Sequence, residues 1–96
     1  MAVAIIAEIP GGSAEFDGEI QRRLNIAANP PRGVMARFAG PTEGGWKIFS
    51  VWESEEDWEA FRRDRLEPVL REMGIRPRHE VWRLTSTLIP ALVKSR

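Results

Sequence analysis

Residues 46–53, WKIFSVWE, constrain this chain more than any other stretch. Side chains alternate between the two faces of a strand, so Trp46, Ile48, Ser50 and Trp52 share one face. Lys47, Phe49 and Val51 share the other. Each face carries large apolar groups, and neither can stay in water without cost. This strand needs cover on both sides.

The flanking segments supply the rest of a sheet and two helices. Residues 2–9 (AVAIIAEI) read as a strand ended by Pro10-Gly11-Gly12, and their nearly continuous apolar character fits a strand covered on both faces. Ser13 caps a helix whose stripe is Phe16, Ile20, Leu24 and Ala27, with Gly18 off the stripe and Asn29-Pro30-Pro31 as its stop. Residues 33–40 (GVMARFAG) form a second strand, joined by the turn residues PTEGG to WKIFSVWE. Ser54 then caps a helix with Glu55, Glu56 and Asp57 in its first turn, where acidic groups favour the helix dipole. Trp58, Phe61, Leu66, Leu70 and Met73 make its stripe, and Gly74 its C-cap. Pro68 has no N–H for the Asp64 carbonyl, which predicts a kink or break near Leu66. A last strand is expected from His79 to Leu88, before a tail from Pro90 to Arg96.

The order β-α-β-β-α-β is that of a ferredoxin-like α+β fold, a four-stranded antiparallel sheet with two helices on one face. The helices leave the second face bare. That face would carry roughly ten apolar side chains and several hundred Å², more than a monomer usually exposes. At about 25 cal/mol per Å², covering it is worth on the order of 10 kcal/mol before association costs. A homodimer packed sheet to sheet is therefore expected, with Phe49 and Val81 facing the partner.

Ninety-six residues accommodate a single domain over 1–96. Fourteen Lys and Arg balance 14 Asp and Glu, so no positive field draws nucleic acid or anionic lipid. The absence of cysteine excludes disulfides, thiolate catalysis, iron–sulfur clusters and cysteine zinc sites. The opening residues read as a strand and not as a signal or membrane span, so a cytoplasmic location is expected. No cofactor or metal is expected, because one histidine with scattered carboxylates has no ligand spacing.

The VWES that closes the third strand, the aromatic helix after it and the kinked RLEPVL resemble the dimeric α/β-barrel superfamily. Within it the chain is most similar to the small antibiotic-biosynthesis-monooxygenase-like proteins, above all from Gly45 to Gly74. That resemblance implies a fold, with activities ranging from cofactor-independent oxygenation of quinols or anthrones to haem degradation and polyketide cyclisation. The Asn, Trp and His of the haem-degrading branch fall on Ile5, Phe61 and Leu70, so haem degradation is not expected. The Asn, Trp and Tyr set of the anthrone oxygenases does not transfer either, since the chain has no tyrosine.

Candidate site residues follow from chemistry. His79 is the single histidine and the one side chain suited to accept a proton near neutral pH. Ile5, Phe38, Trp58, Phe61 and Leu70 are the candidates to line a helix–sheet cleft for a small aromatic metabolite. Trp52 and Trp58 are expected to pin the second helix to the sheet, with Trp46 and Trp82 in or around the dimer core. Arg37 and Arg83 lie within strands and need a carboxylate, a dimer partner or an anionic ligand; Glu8 and Glu80 are available, so an internal ion pair is expected. Two functions are expected: a dimeric protein that binds a hydrophobic metabolite, or a cofactor-independent monooxygenase or isomerase. An open apolar cavity with a convergent polar group favours a ligand; a filled interior argues against one.

Overall fold

In the computed structural model, which describes residues 2–87, WKIFSVWE lies inside a four-stranded antiparallel sheet. The chain runs β1 (Val3–Pro10), α1 (Ala14–Leu24), β2 (Val34–Thr42), β3 (Gly45–Trp52), α2 (Glu55–Phe61), a π-helical turn (Arg62–Leu66), α3 (Glu67–Glu72) and β4 (Arg78–Arg83). The strand order is β2-β3-β1-β4, which makes the fold α+β and ferredoxin-like. Leu88 and the tail from Pro90 to Arg96 lie outside the described residues.

Register decides what each face carries. Val3 pairs with Trp52, Ile5 with Ser50 and Ala7 with Ile48, and these residues meet the helices. Their core is Val3, Ile5, Ile9, Ile20, Leu24, Trp52, Trp58, Phe61 and Leu70, all buried. The opposite face presents Ile6, Phe38, Phe49 and Trp82, of which Phe38 is 57% and Trp82 55% exposed. Val81 pairs with Ile5 and packs on the core, so it stands on the helix face and not on the open one. Trp46 likewise packs against the helix-side core, since its register partner is Ile9.

Both serine caps form. Ser13 Oγ accepts from the Phe16 N–H at 3.2 Å, and Ser54 Oγ from the Asp57 N–H at 3.1 Å. α1 nevertheless stops at Leu24, ahead of the prolines, because Asn25 turns left-handed (φ 54°) and returns its N–H to the Arg22 carbonyl. Asparagine tolerates that conformation better than most residues. The buried face of α1 is therefore Asp17, Ile20 and Leu24, while Phe16 and Ala27 are exposed.

The expected irregularity before Pro68 is a π-helical turn. The Glu67 N–H donates to the Arg62 carbonyl five residues back, which widens the helix one turn before the residue that has no N–H. Leu66, Leu70 and Phe61 still face the sheet. Arg65 Nη2 donates to the Leu24 and Asn29 carbonyls at 2.7 and 3.0 Å, tying the end of α1 to the π turn. β4 ends at Arg83, earlier than Leu88, after which the Leu84 N–H still donates to the Ala2 carbonyl.

Candidate binding cavity between the helices and the sheet

The helices do not close completely on the sheet. A cavity of about 230 Å³ remains, with Ile5, Ala7 and Ile48 on the sheet side and Ile20, Phe61 and Leu70 on the helix side. Ala7 leaves the middle of the floor low. Of the sequence candidates, Ile5, Trp58, Phe61, Leu70 and His79 line this space. Phe38 does not. Its register partner is Phe49, so it projects from the open face, where the two rings lie 6.3 Å apart.

The aromatic residues are both wall and core. Trp52 stands 5.6 Å from Trp58 and 5.3 Å from Phe61, centroid to centroid, and all three are buried. They hold α2 on the sheet while their edges border the cavity. The His79 ring stands edge-on to Trp58 at 5.2 Å. One side of the imidazole is crowded and the other open to solvent. Burial lowers its pKa from the ordinary 6.5, and the Arg62 guanidinium lowers it further against the opposing pull of Glu67 and Glu59.

Among the described residues, the polar side chains in the cavity wall are Arg37, Ser50 and His79. Arg37 finds neither Glu8 nor Glu80, which the sequence offered. Its Nη2 donates to Asp17 Oδ1 on α1 at 2.5 Å. A β-bulge between Val34 and Ala36 resets the register so that Arg37 comes opposite Ser50, on the helix side. Arg83 pairs with Glu55 at the start of α2, with bonds of 3.0 and 3.2 Å. Glu8 lies on the other face, within 3.8 Å of Lys47 and 3.9 Å of Arg78.

Sequence reasoning singled out Arg37 but missed Asp17, Ser50 and the grouping of the three. One signal was present: Asp17, Ile20 and Leu24 repeat at helical spacing, which puts a carboxylate in the buried stripe. Nothing in a single sequence marks the bulge that turns Arg37 toward it. Among the described residues no three His, Cys, Asp or Glu side chains gather to hold a metal, and no helix is long and apolar enough to cross a membrane.

No family model matches this sequence, and no curated protein does either. Solved structures do match. SnoaB, a cofactor-independent oxygenase from Streptomyces nogalater, superposes with a TM-score of 0.66 at 15% identity, over 91% of this chain and 96% of its own. NE2512, a protein of unknown function from Nitrosomonas europaea, gives 0.69 at 16% identity, over 94% and 95%. A Deinococcus radiodurans protein named for the antibiotic biosynthesis monooxygenases gives 0.61 at 11% identity, over 93% and 97%. The fold is thus that of the antibiotic-biosynthesis-monooxygenase-like proteins.

Proposed function

We propose that this chain, which has the fold of the monooxygenase-like α/β proteins, binds a flat and largely apolar small molecule in the helix–sheet cavity. The observation that supports this reading is the cavity itself, about 230 Å³ and apolar apart from Arg37, Ser50 and His79. Drug-sized ligands occupy roughly 300–1,000 Å³. A smaller space suits one or two rings. Stacking against Trp52, Trp58 and Phe61 supplies affinity without many polar contacts. Naphthalene is a suitable probe, followed by chemical-shift changes at Ile5, Phe61 and Leu70. Ala7→Phe fills the floor and abolishes binding while the circular dichroism stays native. Naphthalene that binds Ala7→Phe as well as wild type would place the ligand elsewhere.

A second reading is catalytic. His79, depleted of its proton near neutrality, borders the cavity, and SnoaB, with the same fold, is a cofactor-independent oxygenase. A neutral imidazole there can deprotonate an acidic phenol or enol, the opening step of either an oxygenation or an isomerisation of a quinol or polyketide-like substrate. No metal or organic cofactor enters this reading.

The open sheet face supports a homodimer. Ile6, Phe38, Phe49 and Trp82 lie on it together, a larger apolar group than single scattered surface residues. A second copy of the same face is the cover we assign to it.

A further inference from the structure

The polar groups near α1 have donors to spare. Asp17 is only 4% exposed, and both its oxygens are occupied: Oδ1 by Arg37 Nη2 at 2.5 Å and Oδ2 by Gln21 Nε2 at 3.0 Å. A guanidinium carries five N–H donors in a planar fork. Among the described residues Arg37 makes side-chain hydrogen bonds through one nitrogen, Nη2, so the other donors of a side chain that lines the cavity and is 26% exposed remain free of protein partners. Ser50 lies directly across the strand pair from Arg37, and opposed residues are about 4.5–5.5 Å apart at Cα. The buried Ser50 Oγ accepts from Trp52 Nε1 at 2.9 Å, so its own O–H is available to a further acceptor. Among the described residues no carboxylate lines the cavity to receive these protons. A partly buried ion pair such as this one gives little stability by itself and is often matched by apolar residues of similar size. Its place here, in the wall of an apolar cavity, is better suited to holding a ligand oxygen.

We propose that the Arg37 guanidinium and the Ser50 hydroxyl receive an anionic oxygen of the ligand, carboxylate or ionised phenol or enol, with Asp17 as the positioning residue that fixes the guanidinium. This narrows the ligand class to flat hydrophobic acids and rests on the cavity reading above. His79 stands on the opposite edge strand, three strand intervals of about 4.8 Å from β2.

Calorimetric titration with 2-naphthoate and its neutral isostere 2-naphthalenemethanol tests this. Wild type binds the naphthoate at least tenfold more tightly, as charge-assisted hydrogen bonds imply. The double variant Asp17→Leu/Arg37→Met removes both charges together, which preserves folding, and binds the two probes equally. Arg37→Lys keeps a cation opposite Asp17 but loses the fork, and its preference falls several-fold. Equal affinity of wild type for the two probes overturns the anion inference and leaves the cavity reading standing. So does a preference that survives both variants. If neither probe binds wild type, the cavity reading fails and this inference with it. A third probe, 2-naphthol, separates the sources of the oxygen. Ionisation at lower pH when bound than when free identifies a phenolate or enolate site. An unshifted 2-naphthol beside a strong naphthoate preference identifies a carboxylate site.

Discussion

At the scale of single residues, His79 carries the clearest consequence for pH. Burial, then Arg62, disfavour its charged form, so the folded state holds the proton less tightly than the unfolded chain does. The sign follows directly. The neutral imidazole is a proton acceptor across neutral pH and is lost only as pH falls below 6.5 and through the lowered folded value. Its contribution to stability runs the same way, present above the unfolded pKa and lost as pH falls, and it is small because the ring is partly open to solvent. A proton NMR titration should therefore place the His79 midpoint below 6.5; a midpoint above it would contradict the burial account. In the catalytic reading, oxygen uptake with quinol or anthrone substrates is flat at neutral pH and declines on that same limb. His79→Gln should lose about 10²-fold or more in rate while still binding naphthalene. Uptake that persists in His79→Gln would sink the catalytic reading and spare the binding one.

At the scale of elements, two glycines have opposite roles. Gly18 sits inside α1 with nothing within 4 Å of the position a Cβ would take. Gly18→Ala should stabilise the protein by about 0.5–1 kcal/mol in urea unfolding, because alanine gives up less backbone freedom in a helix. Gly33 lies before β2 at φ 88°, and a Cβ there would come within 2.7 Å of Asp57 Cβ on α2. Its carbonyl also accepts from the Glu53 N–H at 2.8 Å, which ties the β2 entrance to the end of β3. Gly33→Ala should cost about 2 kcal/mol or more, from left-handed strain of about 1–2 kcal/mol plus the collision with the helix. Equal effects at both positions would undo the contrast. The π turn belongs to this scale too. Pro68 was legible as a break, but a widened turn instead of a bend depends on Phe61 and Leu70 both being held against the sheet.

At the scale of the whole molecule, the two faces of the sheet divide the labour. One face meets the helices and holds the cavity; the other presents Phe38, Phe49 and Trp82 outward. Sedimentation should give twice the chain mass for wild type at micromolar concentration, and Phe49→Asp should shift it to monomer. The same substitution should leave naphthalene binding within about twofold, since Phe49 faces away from the cavity and distant sites add independently. A wild-type monomer, or an undiminished dimer in Phe49→Asp, would rule out sheet-to-sheet pairing.

The element order, the serine caps, the Pro68 irregularity and the Trp52–Trp58–Phe61 wall were all legible in the chain alone. They depend on periodicity, caps and breakers, which are local properties. Tertiary structure decided the rest. Whether Phe38 faces the cavity or the open side depends on strand register, and a β-bulge near Met35 sets that register. The partner of Arg37 is Asp17, twenty residues away on another element, because the bulge and the buried face of α1 bring them together. The cavity is a residue of imperfect packing between layers, fixed by the sum of side-chain volumes and helix positions that no single stretch encodes.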